Sequence, residues 1–352
     1  MKKLLAVLLS LAMIMAFTAC GGGSSSGGGD SEEASGDAPV ELHFSNTLAV
    51  TNAWNRAAEV LKADLADKSG GTIDLVIDCG GVNGSDKEQA ESCARGDIAI
   101  CIGSTVGLDN FVTDIGWINL PYVCNNMDDA EKYIFSEDGW MHQMLVEEIE
   151  GNGNGELKVL GITSNDFRWL SNSKGPITDP AQLKGMKLRV PESPMYQTFF
   201  GELGAIPTAI PFVDLASALQ QGTVDGQDNG PQISVPNDLH SFQKYWTKTN
   251  HAYAPAIVYM NAGIYDGMSD NQKAVFDECM DTYLQNVRDY VASDYEQFEK
   301  TMTDAGCEVI EATDELKKAF EEAAHVTWQT EDCTKTFNQD AVKKILEENG
   351  LA

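Results

Sequence analysis

An α/β fold of two lobes facing each other across a cleft is what this chain of 352 residues predicts. Three observations carry that expectation. From Glu41 to Ile102 the apolar pattern gives a βαβαβ order. From Lys187 to Gln227 short extended runs again alternate with short helices, which argues for a parallel sheet with a ligand crevice beyond the strands' carboxyl ends. Ser269–Ala305 then reads as one helix that, at about 1.5 Å per residue, exceeds roughly 50 Å and can run behind both lobes.

The chain begins with a targeting signal. Lys2 and Lys3 precede an apolar run, Leu4–Phe17, that is shorter than the roughly 20 residues of a membrane span. Thr18-Ala19-Cys20 sets small residues before a cysteine, as in bacterial lipoprotein signals, so residues 1–19 are expected to be removed and Cys20 lipidated. Residues 20–38, rich in Gly and Ser and then acidic, form a flexible tether.

The folded part opens with a strand, Glu41–Phe44, and a helix over Asn52–Ser69 whose Ala57, Val60, Leu61 and Leu65 share a face. Gly70-Gly71 ends it. Ile73, Leu75 and Ile77 are the buried side of a strand over Thr72–Asp78, followed by a helix over Ser85–Ala94 and a buried strand over Ile98–Ile102. Asn46 and Asp86 lie in loops at element ends, where turn geometry or helix capping accounts for them as readily as a ligand does.

After the loop Gly151–Gly155 comes a strand over Leu157–Ile162, then one containing Arg168 and Trp169. The first crossing between lobes is therefore expected near Thr163–Asn165, and the return near Thr249–Ala254. Lobe I is then residues 39–164 and 251–290, and lobe II residues 165–250 and 291–352. In the second lobe Lys187–Val190 is a strand that Pro191 stops, and Ser193-Pro194 opens a helix that Gly204 ends. Thr208–Ile210 extends, Asp214 caps a helix through Gln221, and Thr223–Gln227 extends again. Beyond the long helix, Cys307–Glu311 is a strand, and Asp314–Ala323 and Glu331–Asn349 are closing helices.

Charge and chemistry narrow the function classes. A net charge of −30 opposes binding of nucleic acid or anionic lipid by the protein itself. The five histidines (His43, His142, His240, His251, His325) are scattered, and no HExxH, GxSxG or phosphate-cradling glycine loop occurs, so no metal site, nucleophile or cofactor is expected. Seven cysteines beyond Cys20 show no metal spacing, and their pairing cannot be chosen from sequence. Only five of the 24 basic residues are arginines, so surface charge is carried by lysine. Arg168 and Arg189 flank one predicted crevice, and an arginine fork can grip a carboxylate with two parallel hydrogen bonds. A surface position or an internal ion pair is the competing reading, and Asp166 stands ready to pair with Arg168.

The runs FRWLSNSKGPITDPAQLKGMKLRVPESP (Phe167–Pro194), ALQQGTVDGQDN (Ala218–Asn229), GDIAICIGSTVGL (Gly96–Leu108) and INLPYVC (Ile118–Cys124) resemble the solute receptors of tripartite ATP-independent periplasmic (TRAP) transporters, of the dicarboxylate-receptor (DctP) type. The resemblance runs from about Glu41 to the C-terminus. It implies a periplasmic-binding-protein-like, type II-like fold with the long helix spanning both lobes. It also implies a non-enzymatic receptor outside the cytoplasm, anchored by lipid, that delivers a small carboxylate to a small and a large membrane subunit. Arg189 matches the arginine that holds the ligand carboxylate, and Arg168 a second basic contact. Asn229 matches a ligand-contacting asparagine and Phe212 an aromatic that packs on the ligand, while Asn46 and Asp86 are implied to lie near it. Trp169 reads as core or cleft-rim packing. A lipid-anchored enzyme acting on a small organic acid, or a lipid-anchored adhesion or scaffold protein, are the alternatives.

Overall fold

The computed structural model describes residues 37–151 and 155–349. The signal segment, Cys20 and nearly all of the tether lie outside the described residues. Two sheets form the frame. The first has the order β2-β1-β3-β10-β4, built from β1 (Val40–Ser45), β2 (Ile73–Asp78), β3 (Ile100–Ser104), β4 (Leu157–Phe167) and β10 (Tyr253–Asn261). The second has the order β11-β9-β5-β8-β6-β7, built from β5 (Leu170–Asn172), β6 (Lys187–Val190), β7 (Ile206–Ala209), β8 (Gly226–Gln227), β9 (Tyr245–Lys248) and β11 (Glu308–Glu311).

Neither sheet is wholly parallel, as the alternation of strands and helices had implied. β1 runs parallel to β2 and β3, and β6 to β7 and β8, but β10 is antiparallel to β3 and β4, and β5 to β8 and β9. The reason is the pair of crossings between sheets. The chain passes out along β4 and β5 and returns along β9 and β10, so outgoing and returning strands lie side by side in opposite directions. β4 also runs five residues past its expected end: Phe167 still pairs with Tyr253, so Thr163–Asn165 is strand and the link to β5 is Arg168-Trp169.

Helix boundaries follow local capping chemistry. Helix α1 (Ala53–Lys68) starts where Asn52 accepts a hydrogen bond from the Trp54 N–H at 2.9 Å, and Gly70 and Gly71 turn the chain away with positive φ. Helix α2 (Asp86–Arg95) is opened by a capping box between Ser85 and Glu88. The long helix, Asp270–Asp304, has its own capping box, Ser269 with Gln272, and stops before Gly306 at φ 87°. The helix expected from Asp214 begins two residues earlier, at Phe212, because Pro211 occupies the cap and the Asp214 N–H already bonds the Pro211 carbonyl at 3.1 Å. The closing helix divides into a π-helical turn, Asp332–Thr336, and Gln339–Glu348. Asn338 separates them; its side chain caps the second, and its N–H bonds the Asp114 carbonyl at 3.1 Å.

The long helix joins the two sheets. Phe276, Cys279, Met280, Tyr283, Leu284, Val287 and Val291 bury a stripe in the core of the first sheet together with α1 residues Trp54, Ala57, Leu61 and Leu65. Arg56 on α1 pairs with Asp294 of the long helix, and Lys68 with Glu278 at 2.9 Å. Farther along, Tyr295 and Met302 pack with Trp169 and Trp246 on the second sheet. Trp169 is thus fully buried core, its N–H donating to Asn250 at 2.8 Å. Among the described residues no helix is long and apolar enough to cross a membrane.

Close packing of the long helix on β4 needs a bare backbone at Gly161. With φ at 154°, a Cβ there would lie 2.3 Å from the Leu284 Cδ1. Gly161→Ala is expected to cost about 1–3 kcal/mol through overpacking, read as a lower denaturant midpoint at unchanged slope. An unshifted midpoint would mean the helix is not clamped there.

Candidate functional site

The cleft forms where several strands and helices present their ends. Ser104 closes β3, Asp86 is the first residue of α2, Arg189 lies near the end of β6, and Phe212 opens its helix. These residues line one open cleft. Trp54 and Phe212 give it apolar wall, and Asn165 and Asn229 add amides.

Two arginines enter this cavity in different electrostatic states. Arg168 is spent inside the protein: its Nε and Nη2 donate to the two carboxylate oxygens of Asp228 at 2.8 and 2.6 Å. Both side chains are buried, and the Tyr196 ring lies 5.1 Å from the guanidinium carbon. Burial opposes charge on Asp228, but Arg168 outweighs it and holds the carboxyl well below the usual range. His251 sits behind the pair, its Nε2 3.5 Å from Asp228 and its Nδ1 2.8 Å from the Thr249 hydroxyl. Burial among Phe199, Phe200 and Phe320 pushes its pKa down, which favours the neutral ring.

Arg189 is different. It is 3% exposed, and its Nε donates to the Ile210 carbonyl at 2.8 Å. Among the described residues no carboxylate lies within ion-pair distance of it. Burial pulls its pKa down to about 10, and the neighbouring Arg168 pulls the same way. A buried guanidinium with its terminal amino groups unmatched is a site for an anion that can accept two hydrogen bonds.

The pairing of Arg168 with Asp166 does not form. The Asp166 carboxyl turns instead to the backbone of 230–232, where it accepts from the Gln232 N–H at 2.7 Å. It fits because Gly230 is bare; a Cβ there would lie 2.3 Å from Oδ2. Burial pushes the Asp166 pKa well above the carboxylate range. Asn46 does not line the cavity either. Its amide is consumed by Asn55, in paired bonds of 2.7 and 3.2 Å, and by the Leu48 N–H at 3.0 Å. It serves the loop after β1.

Asp86, Asn229 and Phe212 do line the cavity. Asn229 is oriented by Gln227, whose Oε1 accepts from the Asn229 side-chain amide at 2.7 Å. Asp86 accepts from the Thr47 hydroxyl at 3.2 Å, and burial raises its pKa. Sequence reasoning did not single out Asn165, Trp54 or Ser104 as wall residues. Ser104 sits at the end of a buried strand, a position that could have marked it; Asn165 was placed only in the crossing between lobes.

The family model described as bacterial extracellular solute-binding protein, family 7, matches residues 44–334. The chain belongs to that family. The 2,3-diketo-L-gulonate-binding periplasmic protein of Escherichia coli K12 is 28% identical over 81% of this chain and 85% of its own length. A TRAP periplasmic solute-binding protein from a Bordetella species is 28% identical with a TM-score of 0.78, covering 87% of this chain and 98% of its own. Another from Polaromonas sp. JS666 is 25% identical with a TM-score of 0.78, covering 87% and 97%.

The internal pair carries a stability test. Asp228→Asn leaves Arg168 charged, buried and unmatched, and is expected to cost about 3–5 kcal/mol in denaturant unfolding. Because the Asp228 pKa is depressed on folding, its contribution is complete above the ordinary carboxylate pKa and disappears only as pH falls toward the folded value. The gap between wild type and variant should therefore be full at neutral pH and narrow in acid. A gap that grows in acid would contradict the pairing.

Proposed function

We propose that this member of family 7 is a receptor outside the cytoplasm that binds a small organic acid in the cleft and delivers it to the membrane subunits of a TRAP transporter. One observation carries the reading: Arg189 is buried at the cleft with a guanidinium that no carboxylate among the described residues matches. Arg168 acts as a fixed wall, its charge satisfied by Asp228, while Asn229 and Phe212 contribute an amide and an aromatic face. The relatives support the ligand class. The Escherichia coli protein is named for 2,3-diketo-L-gulonate, the Bordetella structure has density assigned to pantoate, and the Polaromonas structure holds D-erythronate. All three are carboxylic acids.

A thermal-shift screen over organic acids tests the receptor reading, since a ligand at about 100 times its dissociation constant adds roughly 2.7 kcal/mol. The hit then tests the arginine. Arg189→Lys keeps the charge but loses the planar fork, and calorimetry should show affinity falling about 30- to several-thousand-fold, equivalent to 2–5 kcal/mol. Binding within about threefold of wild type would make Arg189 structural.

The membrane attachment belongs to the same proposal. Lipid on Cys20 would tether the receptor near its transporter, and the 18 residues of Gly/Ser-rich and acidic chain from Gly21 to Ala38 give it reach. Wild type should enter the detergent phase on phase separation and Cys20→Ala should leave it. Wild type found wholly in the aqueous phase would overturn the anchor.

A further inference from the structure

The charges around the cleft separate by depth. Five ionisable side chains line it: Asp86, Lys87, Arg168, Arg189 and Glu192. Lys87 and Glu192 are exposed and of opposite sign. Arg168 is matched by Asp228. What is left inside is one unmatched guanidinium, Arg189, and one acid, Asp86.

Asp86 is built into place. Its Oδ1 accepts from the Thr47 hydroxyl at 3.2 Å, and its own backbone N–H also bonds the carboxyl. Its side chain lies on the bare backbone of Gly107, where a Cβ would stand 2.6 Å from the Asp86 Cβ, and a Cβ at Gly103 would stand 3.7 Å from Oδ1. The other polar groups of the wall are neutral: Ser104, Asn110, Asn165 and Asn229. A ligand thus meets one fork suited to a single carboxylate, one carboxyl, and several hydroxyl and amide groups.

Resting on the carboxylate-receptor reading, we infer that the cleft selects hydroxylated monocarboxylic acids over dicarboxylic acids, and that Asp86 sets the choice. The hydroxyl of an aldonate-type acid donates to Asp86 while its carboxylate occupies Arg189. A second carboxylate has no hydrogen to donate near neutral pH, finds no unmatched buried cation, and faces Asp86 as a like charge.

Calorimetry with length-matched acids tests this: erythronate against succinate, and gluconate against adipate. Wild type should favour the hydroxylated acid of at least one pair by about tenfold or more. Asp86→Asn removes the negative charge at nearly constant shape and should shrink that preference by about tenfold. Asp86→Ser, smaller and also neutral, should do the same, and unfolding of each variant without ligand checks that it folds. Equal binding of both classes to wild type, or a preference unchanged in both variants, overturns the selection while leaving the receptor reading intact. Binding of neither class overturns both.

Discussion

Burying a guanidinium normally demands a carboxylate beside it, because the transfer of an unpaired charge from water costs several kcal/mol even after relaxation. Arg168 meets that demand within the protein and Arg189 does not. Arg168 depresses the charge preference of Arg189, and Asp228, which satisfies Arg168, raises it again, so the internal pair is what makes the second arginine tolerable. Strand order supplies the arrangement. β8 lies directly beside β6, with Leu188 opposite Gly226, so Asp228 leaves β8 close to the end of β6 that carries Arg189. There it takes Arg168, which enters from the β4–β5 crossing. Arg189 is therefore a positive point at the cleft of a strongly acidic molecule.

The crossings between sheets are held by polar groups. Thr163, Ser164, Asn165 and Asp166 are all buried on β4. Each finds a partner far away in sequence: the Thr163 hydroxyl donates to the Leu284 carbonyl at 2.9 Å, Ser164 meets the Tyr253 hydroxyl at 3.2 Å, and Asn165 donates to the Ala254 carbonyl at 2.8 Å. Directional bonds of this kind fix register where an apolar strand would tolerate sliding. Asn165 belongs both to this seam and to the wall of the cleft.

These contacts explain what the sequence could reveal. Helices whose ends are written in adjacent residues were legible almost to the residue: Asn52 before α1, Ser85 and Glu88 around the start of α2, Ser269 and Gln272 at the long helix. A cap is local chemistry. The run Thr163–Asn165 was legible as a crossing but not as a continuation of β4, because the groups that satisfy it belong to Leu284, Tyr253 and Ala254. The partner of Arg168 was equally hidden: Asp166 is two residues away and Asp228 sixty, and only tertiary structure shows which carboxyl turns toward the arginine. Asn46 and Asp86 looked alike as loop-end polar residues. Asn55, in the first turn of α1, takes up the first, while Gly107 leaves the second room beside the cleft.

The strand order also ranks the two sheets in time. β1, β2 and β3 come from residues 40–104, yet their sheet is completed by β10, residues 253–261, and its core is sealed by the long helix that follows. Every strand of the second sheet except β11 lies between. As a ribosome extends the chain, the first three strands wait for some 150 more residues before their neighbour exists. Contacts that close so large a loop form slowly, and the open edge of β3 stays available to wrong partners meanwhile. The part of the chain made first is the part finished late.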